Sequence, residues 1–185
     1  THALLATRAW TDPDALFADV ERSGMYDRHL AGDYETLRRA WGLGPEAPVS
    51  WRCYRIIHPV ADLQAAVARR SRVRVLIVHH ERDAVIGGDD QACRELIAEL
   101  GASAVPINHD LLVHCQELEP FARAWHDVHH RRTRRFTSPR LYANAINGVF
   151  VPDADRCAEM LTTQARSMVT FHPTVERAWA DGVRT

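Results

Sequence analysis

The stretch "VRVLIVHH-ER-DAVIGGD", residues 73–89, constrains this chain more than any other. Two apolar, β-branched runs are separated by a two-residue polar break, which is the pattern of two antiparallel strands joined by a tight turn. On its amino side "PVADLQAAVARR" has helical spacing with Pro59 in the first turn, preceded by the strand-like "WRCYRIIH". On its carboxyl side "DQACRELIAELG" is a helix closed by Gly101, followed by the short strand "SAVPIN". The order over 51–108 is therefore βαββαβ.

That order is the split β-α-β arrangement of ferredoxin-like folds. The flanks have a different texture. "THALLATRAW" reads as a helix, as does "TDPDALFADVER", with Asp12 as N-cap and Pro13 at the first helical position. "DYETLRRAW" is a third helix, ended by "GLGPEAP". After the unit, Leu118, Phe121, Trp125 and Val128 share one face of an amphipathic helix. "RLYANAINGVF" is a strand entering an Asn-Gly turn, and two short helices are expected near 153–165 and 173–181. No internal repeat or low-complexity tract interrupts this series. The chain starts inside a helical pattern without Met, and "WADGVRT" closes a helix at Gly182, so both ends read as cuts in a longer polypeptide.

With 185 residues the chain can bury one good core. Its net charge is −1, which gives no global field pointing to nucleic acid or a membrane. All 23 basic residues are Arg, so Schiff-base chemistry on a lysine is excluded within this sequence. Cys53, Cys93, Cys115 and Cys157 are scattered and form no CxxC, the usage of reduced thiols in a cytoplasmic protein. No apolar run approaches the roughly 18 residues of a membrane span.

Candidate chemistry concentrates on histidine. "HDVHHRR" puts His126 and His130 on one helix face, as HxxxH zinc sites do, but four nearby Arg oppose a bound cation. A solvated basic face, or a docking patch for an acidic partner, accounts for the same residues. His79 and His80 end a strand and read first as half-buried. Cys115 follows His114 directly. Neighbours on an extended chain point to opposite faces, so the two form no dyad, and Cys115 reads as a packing residue. His114, at the end of "AVPINHDLLVHC", is either a structural histidine or a base aimed into a cleft.

Three stretches in order and spacing resemble malonyl-type acyltransferases. "AVPINHDLLVHCQELEPF" resembles that family's AFHSPLMEPM segment, with Val113-His114-Cys115 where Phe-His-Ser stands and Glu119-Pro120-Phe121 where Glu-Pro-Met stands. "LIVHHERDAVIGGDDQACRELIAELGA" looks like its strand-turn-strand and helix, and "RLYANAINGVFVPDA" like its PxYSNVTG turn. "WADGVRT" looks like the approach to its C-terminal FVEVGP. The runs "ATRAWTDPDAL" and "YETLRRAWGLGPEAPVSW" look closest to the branch of enediyne and polyunsaturated-fatty-acid synthases.

The resemblance implies an α/β-hydrolase-like large subdomain, formed by 1–50 and 109–185, interrupted by a ferredoxin-like small subdomain over 51–108. It implies a malonyl-CoA:acyl-carrier-protein transacylase domain of an iterative type I polyketide synthase. Its partners would be malonyl-CoA, the phosphopantetheine arm of an acyl carrier protein and other domains of the same synthase. No metal, bound cofactor, nucleic acid or membrane is implied. His114 would be the general base for a serine hydroxyl in a GHSxGE elbow. That motif is not in this sequence, and the resemblance sets residue 1 just after its Glu. Arg22, about two dozen residues beyond that serine, would fork onto the carboxylate of the extender unit, with Arg28 as competitor. His79 would line the pocket where the family has Asn, and LVHC replaces AFHS. A catalytically inactive acyltransferase-like module that docks a carrier protein is the alternative; a stand-alone ferredoxin-like binding module leaves the patterned flanks unexplained.

Overall fold

The structure, a computed structural model, describes residues 1–184. The chain begins with α1 (His2–Ala6) and α2 (Pro13–Arg22). Asp12 caps α2 as its position suggests, its carboxylate accepting from the Ala15 N–H at 2.9 Å. A π-helical turn over Met25–His29 and α3 (Glu35–Ala40) complete the first flank.

The middle follows the expected order: β1 (Trp51–Ile57), α4 (Val60–Val67), β2 (Val73–His80), β3 (Asp83–Asp89), α5 (Asp90–Glu99) and β4 (Ser103–Pro106). The strands lie in the order β4-β1-β3-β2, all antiparallel, with Cys53 opposite Gly87 and Tyr54 opposite Pro106. This is the ferredoxin-like sheet. Asp89 caps α5 through the Ala92 N–H, and Gly101 ends it at φ +55°, a conformation that carries no Cβ penalty in glycine. One face of the sheet packs on α4 and α5 through Ile56, Leu63, Val73, Ile86, Cys93 and Leu96, all fully buried.

The opposite face packs on the flanks. Trp51, Cys53, Leu76 and Val85 from the sheet meet Met25, Leu30 and Leu37 from the first flank, and Leu112, Leu118 and Phe121 from the second. The run Leu111–Val113 joins no ladder and turns tightly, the Val113 N–H donating to the Leu111 carbonyl at 3.0 Å, so His114 ends a loop segment rather than a strand. The helix expected around Leu118 and Trp125 is split into a 3-10 turn (Gln116–Phe121) and α6 (Ala122–His129), because Pro120 cannot donate to an α-helical ladder. The Asn-Gly turn joins β5 (Leu141–Ala143) to β6 (Gly148–Phe150) as a hairpin. The two last helices are α7 (Ala154–Arg166) and α8 (His172–Ala180).

Between them lies β7 (Val169–Thr170), which the sequence pattern does not announce. It pairs parallel to β2, Ile77 opposite Val169, and extends the ferredoxin-like sheet to five strands. The second flank is thereby hydrogen-bonded to the small unit. No helix among the described residues is long and apolar enough to cross a membrane.

Candidate active site

His114 occupies a tight bend at φ +63°, a left-handed conformation uncommon outside glycine. Two anchors hold it. Upstream, the buried Leu112 donates its N–H to the Leu30 carbonyl at 2.9 Å. Downstream, the last turn of α7 offers carbonyls that have no partner within the helix. The His114 N–H donates to the Ala165 carbonyl at 2.5 Å, and its Nδ1 lies 2.7 Å from the Gln164 carbonyl.

A carbonyl only accepts, so Nδ1 carries the proton and Nε2 keeps its lone pair. Burial lowers the pKa of His114 below that of an ordinary imidazole, opposed in part by the bond to Gln164. The ring is thus a neutral base near neutral pH. The negative end of the α7 dipole lies beside it and favours the imidazolium that forms when Nε2 takes a proton.

His114 lines a cavity of about 330 Å³. Its walls are mostly apolar, with Leu5, Leu16, Val20 and Leu161 prominent, and Thr1 and His2 at the amino end of α1 line it too. Cys115 does not line this cavity. It is buried in the main core, and burial, with the Glu117 carboxylate adding to it, pushes its thiol well above the usual range. An inert packing thiol fits that environment.

A third histidine, besides His2 and His114, lines the cavity, and sequence reasoning missed it. His129 is 3% exposed, not on a solvated basic face. Its Nδ1 lies 2.7 Å from the Trp125 carbonyl one turn earlier, and its ring stacks on the Trp125 indole at 4.8 Å. Burial lowers its pKa to about 4. The signal available was the four-residue spacing of Trp125 and His129, which the neighbouring Arg run obscured. His126 and His130 do share a face, with rings 5.7 Å apart, but their partners are the carboxylates of Asp127 and Asp155.

Arg22 and His79, expected from the resemblance to line the pocket, are not among the residues lining this cavity. Arg22 ends α2 on the side opposite Leu16 and Val20, with its side chain 74% exposed and 2.6 Å from Asp19. Arg28 is also solvent-facing, 3.7 Å from Glu35. His79 is half-buried at the end of β2, one residue beyond the pairing of β2 with β7.

The fold, a βαββαβ unit inserted between helical flanks, is shared with solved acyltransferase structures. The acyltransferase domain from the second module of the salinomycin polyketide synthase superposes with a TM-score of 0.60 at 21% identity, over 91% of this chain and 40% of that one. The malonyl-CoA:acyl carrier protein transacylase of Helicobacter pylori gives 0.65 at 16%, over 80% and 47%. An acyl carrier protein S-malonyltransferase from Vibrio cholerae gives 0.60 at 22%, over 80% and 49%. In sequence, the chain is similar to one of the subunits of the polyunsaturated fatty acid synthase of Thraustochytrium sp., 29% identical over 154 residues. That match takes in 78% of this chain but 8% of the relative, and the chain spans less than half of each of these solved structures. No protein-family model matches it.

Proposed function

We propose that this chain is part of an acyltransferase domain that moves a malonyl unit from coenzyme A to the phosphopantetheine thiol of an acyl carrier protein. It would work in the cytoplasm, within an iterative synthase of polyketide or polyunsaturated-fatty-acid type. In this reading residues 1–50 and 109–185 belong to the large subdomain and 51–108 to the small one. The observation that carries it is His114: its Nδ1–H is spent on the end of α7, which leaves a neutral Nε2 for the cavity it lines.

The nucleophile in this reading is a serine hydroxyl delivered from polypeptide ahead of Thr1. Support comes from the cavity itself, where Thr1 and His2 sit among the lining residues with His114. Nε2 takes the proton as serine Oγ attacks the thioester carbonyl; the tetrahedral oxyanion is held by backbone N–H groups, and the coenzyme A thiolate leaves with the proton His114 returns. In the second half His114 deprotonates the phosphopantetheine thiol, which attacks the acyl-serine and restores the hydroxyl. The proton count closes without a metal or a bound cofactor.

Arg22 is proposed as the carboxylate anchor. Asp19 has two arginine partners, and Arg131, only 16% exposed and 2.6 Å away, is the stronger hold on it. Arg22 can therefore exchange Asp19 for a substrate carboxylate without leaving Asp19 unpaired. His79 would act from the β2 end, through access to the cleft.

Incubating the protein at its full natural length with malonyl-CoA, then mapping adducts by mass spectrometry, tests the reading. A malonyl-serine ester that transfers to a carrier protein is the expected result. No adduct would overturn it in favour of an inactive module that only docks a carrier.

A further inference from the structure

Three residues after His114 the chain buries a carboxylate. Glu117, in the first turn of the 3-10 helix, is 3% exposed. Its Oε1 pairs with Nη2 of Arg74 on β2 at 2.7 Å. Arg74 is itself fixed: Nη1 donates to the Val73 carbonyl at 2.7 Å and Nη2 to the Ser71 carbonyl at 2.8 Å. The other two atoms of this fork, Glu117 Oε2 and Arg74 Nε, are buried without partners.

A desolvated ion pair is a poor source of stability, since an apolar pair of similar volume does as well or better. What such a pair does supply is a fixed register between the elements that carry it. Here the two elements are the entry to β2 of the ferredoxin-like unit and the turn that begins directly after His114. The bend at 114 is strained, so it needs tethers on both sides. Gln164 and Ala165 hold the histidine itself, and among the described residues nothing closer than Glu117 anchors the chain after it in hydrogen-bonding or ionic terms, apart from the Leu118 N–H on Cys115.

We propose that Arg74 and Glu117 are positioning residues for His114, locking the orientation of its imidazole to the seating of the small unit on the flanks. The proposal deepens the acyltransferase reading and rests on it for its kinetic consequence, but not for its structural one.

The test is the double variant Arg74→Met/Glu117→Leu, which removes both charges and keeps the volume, so that no lone charge is left buried. The first readout is the ¹⁵N imidazole spectrum of the chain, which distinguishes an Nδ1-protonated ring from a mixture of tautomers without any substrate. His114 is expected to show the Nδ1–H form in the parent and a mixture in the double variant. The second readout is transfer by the full-length protein, where kcat is expected to fall at least about 10-fold with KM unchanged. An unaltered His114 spectrum in a folded double variant overturns the proposal, as does a double variant that no longer folds, because the pair then serves the fold. A shifted spectrum in a protein that transfers no acyl group sinks the acyltransferase reading alone.

Discussion

The ferredoxin-like unit and its flanks differ in how regularly they are built. Residues 51–106 supply four of the five strands of the sheet and keep one core to themselves, beneath α4 and α5. Among the described residues the flanks have only the two-stranded hairpin β5–β6 and the two-residue β7, and they bury apolar residues both against the sheet's other face and in a smaller core of their own around Leu4, Trp10, Leu16 and Leu141. Most of the large exposed apolar side chains belong to them, including Phe17, Tyr26, Phe171, Val175 and Trp179. The base of the candidate site lies in the flanks. The cavity around His114 is lined by flank residues alone, so the regular unit supports the site from behind and the less regular segments carry the chemistry, the division expected when loops on a scaffold hold functional groups.

The sharpest way to test that division is to remove the base and leave everything else. His114→Asn is the choice, because Asn tolerates the left-handed bend and its amide can still donate toward Gln164. Transfer by the full-length protein is expected to fall by about 10³-fold, within the range for losing a general base, while circular dichroism and Tm stay near the parent values. Retained transfer would move the chemistry out of the flank and break the comparison.

The two regions also differ in how much of them could be read in advance. The small unit was legible because its signals are local: alternation in β2 and β3, a cap at Asp89, a stop at Gly101. The flanks were legible as helices but not as a site. His114 stood out only through a family resemblance, since the Gln164 carbonyl that orients it lies 50 residues later in the chain. His129 was hidden by the arginines after it, and the Arg74–Glu117 pair by the distance between its members. Burial and pairing of that kind are set by tertiary packing, which has no period in the sequence.

His129 gives the next largest expected effect. Its folded-state pKa is about 4 against 6.5 for a free imidazole. The unfolded chain therefore binds more protons between these values, so stability is full above pH 6.5 and is lost as pH falls toward 4. The loss from this residue between pH 7.5 and 4.5 amounts to about 2–3 kcal/mol, and His114 and His29, both also lowered by burial, act in the same direction. Urea unfolding at the two pH values should show it, and His129→Leu should flatten the dependence. An equally steep profile in that variant would assign the acid sensitivity to His114 and His29, because the small unit's Asp83 and Asp90, held below the usual carboxylate range by Arg55 and by Tyr54, stay ionised across this window.

Within the small unit the corresponding probe is Gly88. A Cβ there would lie 2.2 Å from the Arg72 carbonyl oxygen and 2.9 Å from the Val73 Cα, both backbone atoms that cannot swing aside. Gly88→Ala should cost about 2 kcal/mol by forcing β2 from β3. Gly88 pairs with Val73, beside Arg74, so this loss should appear in global unfolding and the His114 tautomer should shift toward a mixture if the Arg74–Glu117 pair positions it. An unchanged tautomer in a variant that shows the loss would mean that the site stands apart from the edge of the sheet that carries Arg74.

The smallest structural effect is expected at Arg22, and its value lies in the contrast between two readouts. Its pairing with Asp19 is solvent-screened and Arg131 remains to hold that carboxylate, so Arg22→Gln should move Tm by no more than about 2 °C. If the exposed guanidinium exchanges Asp19 for the free carboxylate of the substrate, the same variant should lose malonyl loading by about 10-fold or more and leave acetyl loading unchanged. Equal rates with both thioesters in parent and variant would remove Arg22 from the site. Selectivity would then have to come from the mostly apolar walls around His114, and the substrate would be an acyl group without a second carboxylate.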